Sequence, residues 1–477
     1  MTPTAVLPEV VHTPPPAAAP KPGAARTRLL LEGPIIRTLL RLGAPNVIVN
    51  VVLIAVTATV DAHFVGRLGP SALAGLALVF PLLMLMQQTA NSSMGGAMAS
   101  AVARALGAGR RDDAASLVVH ALVIAGGMAA IFTAVVLALG PTFYRVMGGR
   151  GAALTAAVEY STVIFAGALV YWLLSTLTSI VRGAGQAAVL GGVYLGAELL
   201  HVALVPALVF GVGPVPALGV AGAAVATVAS FTASTLVLAW YLASGRTAIA
   251  PAFRGVRLER RLFKEILRVG GPMSLQPLFG NLTLATLTGY VGTLGPTALA
   301  AFGIAARLEY VLNPLAFGLG AGVLAMVGTN LGAGQLARAT RISWTAATLA
   351  MTGTGVIGLV ALLFPDVWIT VFSADPAVHA AAMTYLRIAG IAYAFQGLGL
   401  TLSSAFQAAA RPRWPLLAIA GRCAFVMVGG WLVIHFVGGG LVGLAVIGAG
   451  GLFVYGATLA LRFRRGPWRP VRGVGDR

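Results

Sequence analysis

Charged side chains are scarce in this sequence. Asp, Glu, Lys and Arg make up only 9% of its 477 residues, whereas soluble globular domains average about 25%. With 58% hydrophobic residues and a mean hydropathy of +0.90, a water-soluble fold would have to hide more apolar surface than its core can hold. The composition therefore excludes an ordinary soluble domain and predicts a helical protein of the lipid bilayer. The alternating rhythm of an outer-membrane barrel is absent.

Acidic residues and cysteines are scarcer still. Thirteen Asp and Glu stand against 32 Lys and Arg, an excess that in a soluble protein would suggest nucleic-acid binding. The basic residues collect instead in alternate segments between apolar stretches, which is the pattern of cytoplasmic loops. We therefore expect a multi-pass protein of the cell inner membrane with both termini in the cytoplasm. The basic residues would then face anionic lipid headgroups, and we expect no nucleic-acid partner. Cys423 is the only cysteine, which excludes an intrachain disulfide.

Apolar stretches of about 20 residues predict twelve transmembrane helices. We expect an all-α integral membrane protein whose two six-helix bundles are related by a pseudo-twofold axis along the membrane normal. The first residues are rich in Pro and Ala and lack the apolar core of a signal peptide, which predicts a disordered tail. The predicted order is a disordered cytoplasmic tail over 1–33, an N-terminal bundle over 34–243, a cytoplasmic linker over 244–269, a C-terminal bundle over 270–461 and a basic cytoplasmic tail over 462–477.

The two halves of the chain repeat one another. LLRLGAP at Leu39–Pro45 matches ILRVGGP at Ile266–Pro272, and VGRLGPSALAG from Val65 matches VGTLGPTALAA from Val291. Each predicted half has six spans and begins on the same side, so the halves are parallel repeats. Two such bundles that share a midplane cavity are typical of transporters that work by alternating access.

Five motifs resemble those of a known family. They are LEGPIIRTLLRLGAP from Leu31, TVDAHFVGRLGPSALAGL from Thr59, MGGAMASAVARALGAGRRDDA from Met94, SIVRGAGQ from Ser179 and FGIAARLEYVLNPLAFGLGAG from Phe302. In this order, on a twofold repeat, they resemble the multidrug and toxic compound extrusion (MATE) family, and its bacterial DinF-like branch in particular. The resemblance implies export of organic, often cationic compounds in exchange for inward H⁺ or Na⁺.

The sequence departs from the family pattern at two places. His201 and Val205 stand where the DinF-like pattern on helix five has Asn and Asp, and Glu198 lies one turn before His201. Gly280 and Asn281 stand where the NorM-like branch has a glutamate on helix seven. The second departure argues against a NorM-like cation site in the C-terminal half.

Asp61 is the residue that the resemblance marks for ion coupling, within the family pattern V-D-x-x-F-V-G. Thr57 and Asn50 share its helix face at spacings of four and seven, and we expect them to contact substrate. A carboxylate in a poorly solvated cavity takes up a proton more readily than one in water, and the protonated form no longer attracts a cation. The alternative is a structural carboxylate near the outer interface. In the second half of the repeat, Leu287 stands at the position of Asp61.

Two further pairs of polar residues lie within predicted spans. Glu198 and His201, at i and i+3 on helix five, are predicted to couple protons with Asp61, and a structural hydrogen-bonded pair is the alternative. Arg307 and Glu309 match the family's R-x-E pattern on helix eight. Residues two apart do not face each other on a helix, so we expect a separate polar partner for each and a role in cavity electrostatics.

Uncharged polar side chains supply the remaining candidates for substrate contact. Gln276 is the repeat mate of Asn50, and Asn281 follows it on helix seven. Both are predicted to line the second bundle, with interhelical hydrogen bonds as the alternative. Tyr160 and Tyr171 on helix four are predicted to stack on an aromatic cation, although packing is the simpler role for Tyr171.

Together these features predict a secondary active efflux transporter and not an enzyme. It would exchange inward H⁺, or as second choice Na⁺, for outward amphipathic or cationic organic compounds, as a monomer without cofactor or metal. One alternative is a lipid-linked saccharide flippase of the same superfamily, which would need a more cationic cavity for pyrophosphate. Another is a membrane-embedded transferase, which would need a metal-binding carboxylate cluster, and only Asp112 and Asp113 are adjacent.

Overall fold

The computed structural model describes residues 22–214, 216–244, 247, 249 and 257–466, without the side chains of residues 22–26, 45, 48–56, 58, 187 and 188. The first half of the chain forms α1 (Pro22–Glu32), α2 (Ile35–Gly66), α3 (Pro70–Gln88), the π-helical π1 (Thr89–Met94), α4 (Gly95–Gly107), α5 (Arg111–Val146), α6 (Gly151–Ala166), α7 (Ala168–Gly183), α8 (Ala187–Phe210) and α9 (Gly219–Ala243). The second half forms α10 (Arg260–Met273), α11 (Leu275–Gly292), α12 (Pro296–Gly332), α13 (Leu336–Leu363), α14 (Asp366–Ile369), α15 (Pro376–Ala408), α16 (Arg413–Leu432), the π-helical π2 (Val433–Val437) and α17 (Gly440–Arg464).

These helices make twelve membrane spans. Nine in the described part of the chain are long and apolar enough to cross a bilayer, and the bent pair α6 and α7 brings the number to ten. The 32-residue α2 and the pair α10 and α11 supply the other two. Spans one to six form the N lobe (α2–α9) and spans seven to twelve the C lobe (α10–α17), so the protein is the predicted all-α membrane protein with two six-helix bundles.

Several spans are interrupted at residues with a clear physical cause. The α6–α7 bend of 49° falls at Gly167, where an added Cβ would lie 2.5 Å from the side chain of Val228. Span seven is interrupted at Ser274, after Pro272 in the last turn of α10. Pro314 lies inside α12 without ending it. Close packing at Gly167 and the proline before Ser274 therefore mark the breaks in spans four and seven, while α12 continues through its proline.

The two lobes meet at the end of the molecule where α2 begins and α17 ends, which we call the termini side. Glycines allow the helix backbones to touch there. An added Cβ at Gly107 would lie 2.0 Å from the carbonyl oxygen of Thr329, and one at Gly332 would lie 2.2 Å from that of Arg104. An added Cβ at Gly43 would lie 3.2 Å from a carbonyl oxygen of α12. We call this contact of α2 and α4 with α12 the glycine seam.

Hydrogen bonds join the lobes at the same level. The Gln407 side-chain amide donates to the carbonyl oxygens of Ser92 and Ser93, at 2.9 and 3.0 Å. Arg104 donates to the carbonyl oxygen of Ala408 at 2.8 Å. Each of these bonds links α4 or π1 of the N lobe with α15 of the C lobe, so the termini side is closed in this structure.

The predicted disordered tail is helical over its last third. Residues 22–32 form α1, which is held against the C lobe because Asn330 donates to the carbonyl oxygen of Leu30 at 3.0 Å and Arg338 donates to that of Gly33. Leu30 itself is buried. Residues 1–21 and 467–477 lie outside the described residues, so the remaining tail predictions stay predictions.

The predicted linker also ends in a helix. Residues 260–269 belong to α10, which buries Leu262, Ile266 and Val269. Its start is fixed to α5 of the N lobe, because the Glu259 backbone N–H donates to His120 Nε2 at 2.7 Å. The apolar residues at spacings of three and four make this an amphipathic helix that packs on the N lobe instead of a loop.

Candidate functional site

The polar residues predicted on spans one and five contact one another. His201 Nε2 of α8 lies 3.0 Å from Asp61 Oδ1 of α2. Thr57 Oγ1 of α2 donates to both carboxylate oxygens of Glu198 of α8, at 3.1 and 3.0 Å. Thr57 and Asp61 are one helical turn apart, and so are Glu198 and His201, so the two contacts follow one another along the helix pair. We call these four residues the α2–α8 cluster.

The titratable groups of the α2–α8 cluster are almost removed from solvent. Asp61, Glu198 and His201 are 9%, 6% and 3% exposed. Glu198 and His201 each hydrogen-bond to α2, so both link α8 with α2. Because a buried charge needs a partner, each of these side chains lies beside a polar group of the other helix.

Two tyrosines extend this polar region. Tyr160 of α6 is buried and lies near Asp61. The hydroxyl oxygen of Tyr194, one turn before Glu198 on α8, lies 3.1 Å from Thr178 Oγ1 of α7. Polar groups from α2, α6, α7 and α8 therefore converge within the N lobe.

Tyr171 lies in a separate hydrogen-bonded group. Asn91 Nδ2 donates to its hydroxyl at 2.6 Å, and the Tyr171 and Phe231 ring centroids are 5.2 Å apart. Ser175 donates to the other end of the Asn91 side chain at 2.8 Å. The ring of Tyr171 is thus packed inside the N lobe, and its predicted contact with substrate stays a prediction.

In the C lobe, Glu309 has the separate polar partner that was expected, whereas Arg307 contacts an aromatic ring instead of a polar group. Arg422 Nη2 of α16 donates to Glu309 Oε1 at 2.9 Å, and the Arg307 guanidinium carbon lies 5.0 Å from the centroid of the Phe372 ring. An ion pair within the membrane balances each charge with the other. The Glu309–Arg422 pair is therefore neutral as a unit, in contrast to the cluster of titratable side chains in the N lobe, while Arg307 keeps its positive charge.

The sequence analysis missed the polar groups around this ion pair. Gln396 Nε2 of α15 donates to Asn313 Oδ1 of α12 at 2.9 Å. Tyr385 and Tyr393 of α15 are buried near Glu309. Amides inside apolar spans were a visible signal for the first pair, but nothing in the sequence indicated which helices would face each other.

The remaining predicted residues occupy different surroundings. Gln276 Nε2 lies 3.5 Å from both Met273 Sδ and Ser403 Oγ, so it bridges α11 and α15. Asn281 is exposed on α11. The side chain of Asn50 lies outside the described residues. The structure brings neither Gln276 nor Asn281 into the α2–α8 cluster, and the predicted role of Asn50 stays a prediction.

Comparison with known proteins assigns the fold to a family. The MatE family model matches residues 47–207 and 272–432, one segment in each lobe. The chain is 26% identical to the FAD transporter of Shewanella oneidensis over 403 residues, 84% of this chain and 88% of that protein. It is 29% identical to the probable multidrug resistance protein NorM of Deinococcus radiodurans over 449 residues, 89% of this chain and 92% of that protein.

Solved structures agree with this assignment. A MOP superfamily transporter from Pyrococcus furiosus superposes with a TM-score of 0.82 at 25% identity, over 92% of this chain and 97% of the other. A crystal structure of MATE in the bent conformation gives a TM-score of 0.83, also at 25% identity and with the same coverage. The twelve spans, the repeat and the matched segments establish a multi-pass efflux transporter and not an enzyme. The chain belongs to the MATE family.

Proposed function

We propose that this transporter is an H⁺-driven antiporter that exports amphipathic or cationic organic molecules as a monomer. The observation that carries this proposal is the α2–α8 cluster, in which Asp61 and His201 lie 3.0 Å apart with Glu198 one turn away. Three titratable groups share a nearly dry space there. Such groupings are typical of proton relays in transporters.

The charges of the cluster supply the exchange. With Asp61 and Glu198 ionised and His201 neutral, the cluster carries two negative charges and attracts a cation. Two protons neutralise it, and a third makes it positive, so that a cationic substrate is released. Proton binding and cation binding then exclude each other, which is what an antiporter requires.

The surroundings of Asp61 favour H⁺ over Na⁺. A dehydrated hard cation needs several oxygen ligands together, whereas Asp61 has an imidazole nitrogen as its partner. The hydroxyl of Thr57 is directed to Glu198 and not to Asp61. A proton needs only one group whose affinity can change.

We assign the termini side to the cytoplasm of the inner membrane. Arg104, Arg110, Arg261 and Arg338 lie near this side, and positively charged residues of short loops are retained in the cytoplasm. Because the glycine seam closes the termini side, the structure then corresponds to the outward-facing state of the alternating-access cycle.

The test is substrate efflux from proteoliposomes. Efflux of a cationic dye should follow an imposed pH gradient without sodium and should be near background under a sodium gradient at equal pH. Asp61→Asn should abolish pH-driven efflux, because the amide keeps the volume of the carboxylate but cannot titrate. Glu159→Gln, which neutralises an exposed carboxylate of the same lobe, is the matched control and should retain efflux.

Two outcomes would overturn the proposal. Efflux under the sodium gradient alone would make the cluster a sodium site, and normal pH-driven efflux in Asp61→Asn would remove Asp61 from coupling. FAD belongs in the substrate panel because the Shewanella oneidensis relative is named an FAD transporter. Export of FAD in preference to cationic dyes would refute the proposed substrate class and leave proton coupling to be judged by the gradients.

A further inference from the structure

A basic cavity lies between the lobes on the termini side. Its volume is about 770 Å³, and it is open to the surface between the junction of α1 with α2 and the first turns of α13. Three arginines line it: Arg37 of α2 and Arg338 and Arg341 of α13. The α2–α8 cluster contributes no residue to it.

The positive charge of this cavity is largely uncompensated. Glu32 is the one acidic lining residue, and its carboxylate is paired at 2.7 Å with Arg28, which does not line the cavity. Arg338 is fixed in place because it donates to the carbonyl oxygen of Gly33. Arg37 and Arg341 are exposed, and neither has an ion pair within the described part of the chain. The cavity therefore presents a net positive charge to an anion.

Apolar side chains continue from the charged part of the cavity. Ile36 and Leu40 also line it, share one face of α2 at a spacing of four, and are 56% and 44% exposed. Both stand at the start of the first membrane span, at the depth where lipid headgroups meet acyl chains. A ligand that matches this surface has an anionic head beside an apolar chain.

We propose that this cavity binds the phosphate of an anionic phospholipid, with the acyl chain along Ile36 and Leu40. Guanidinium groups bind phosphate oxygens through paired N–H donors, and Arg37 and Arg341 are free to do so. The apolar wall distinguishes a lipid phosphate from free phosphate. Since Arg37 belongs to the N lobe and Arg341 to the C lobe, the site is complete only while the lobes meet on the termini side.

Lipid binding to the purified full-length chain tests this proposal. Native mass spectrometry after titration with phosphatidylglycerol or phosphatidylcholine would give the dissociation constant of the first bound lipid. The wild type should bind phosphatidylglycerol more tightly. Arg37→Gln with Arg341→Gln should weaken that binding roughly 30-fold, at about 1 kcal/mol for each arginine near the membrane surface. Binding of phosphatidylcholine should weaken less, because the choline ammonium offsets the charge of its phosphate.

The control removes the same charge elsewhere on the termini side. Arg413→Gln with Arg465→Gln replaces two exposed arginines and should change phosphatidylglycerol binding less than threefold. Equal weakening in both double variants would overturn the site, because net charge alone would then explain binding. Inorganic phosphate that competes as tightly as the lipid would overturn the lipid assignment, and Leu40→Gln should weaken lipid binding but not phosphate binding. Since all five replaced side chains are exposed, the variants should keep the wild-type melting temperature in detergent.

Discussion

Replacing one glycine of the seam should open the termini side. At Gly332, an added Cβ would lie 2.2 Å from the Arg104 carbonyl oxygen and 2.9 Å from the Ala108 nitrogen. Ordinary contacts of a Cβ are 3.4 to 4 Å, so Gly332→Ala requires α4 and α12 to move apart by more than 1 Å. Both atoms belong to the backbone, one in the last turn of α4 and one in the residue that follows it, and backbone cannot rotate away as a side chain can.

The size of the effect follows from the cost of overpacking. An extra methyl in a well-packed contact costs about 1–3 kcal/mol. Because the clash exists only while the lobes meet on this side, the cost falls on the closed state alone. At about 2 kcal/mol, and about 1.4 kcal/mol for each factor of ten, the equilibrium should shift roughly 30-fold toward the state that is open on the termini side.

Distance measurement between two spin labels can detect this shift. Labels at Arg111→Cys of α5 and Ala337→Cys of α13 would report the separation of the lobes on the termini side, in a Cys423→Ala background. Gly332→Ala should increase the population with the longer distance. Gly303→Ala is the matched control, since it lies on the same helix and its added Cβ would meet no atom within 4 Å. If Gly332→Ala gave the same distance distribution as this control, the seam would not determine which state is populated.

Three further predictions follow from individual contacts. Glu198→Gln should reduce pH-driven efflux at least tenfold and His201→Phe less so, if Glu198 replaces the missing helix-five aspartate; equal, near-normal rates would make both residues structural. Glu309→Gln and Arg422→Gln should each lower the unfolding temperature, but the double variant should lose about 1 kcal/mol less stability than the sum of the two single losses, because a lone charge in this half-buried position costs more than a neutral pair; additive effects in thermal unfolding would contradict this. Asp375→Ala should destabilise the protein by about 1 kcal/mol in the same assay, because the Asp375 carboxylate caps the start of α15 by accepting hydrogen bonds from two backbone amides. An unchanged unfolding temperature would show that this N-cap is dispensable.

Hydropathy was sufficient to predict the membrane spans. It did not reveal helices that are apolar on one face only. The stretch from Arg260 has a polar face and many basic residues, so a search for apolar runs treats it as a linker. Its periodic Leu262, Ile266 and Val269 are nonetheless buried on the N lobe. The signal was present in the 3.6-residue period. In α1 the signal was weaker, because that helix is held by contacts with Asn330 and Arg338, which are some 300 residues away in the chain.

At the candidate site too, the sequence predicted which residues share a helix face but not which helices contact each other. Helical spacing placed Thr57 on the face of Asp61, and Glu198 near His201, because a 3.6-residue period is local. The contacts across α2 and α8 depend on how far one helix is shifted along the other, which no single segment contains. The same holds for Glu309 and Arg422, which are recognisable as membrane charges but become a pair only through the packing of α12 and α16.

The repeat explains why, among the described residues, the titratable cluster lies in the N lobe. The family model matches residues 47–207 and 272–432. The offset of 225 residues between these two matches places Val426 opposite His201, and the motif around Gly66 and Gly292 places Leu287 opposite Asp61. Leu287 and Val426 are buried in one apolar cluster of the C lobe, so the space that holds an acid and an imidazole in one lobe is filled with hydrocarbon in the other. Hydrocarbon side chains do not respond to pH, and the charged pair of the C lobe is already neutral. On the proposed mechanism, proton binding therefore changes the packing of α2 on α8 first, and the C lobe follows through the glycine seam.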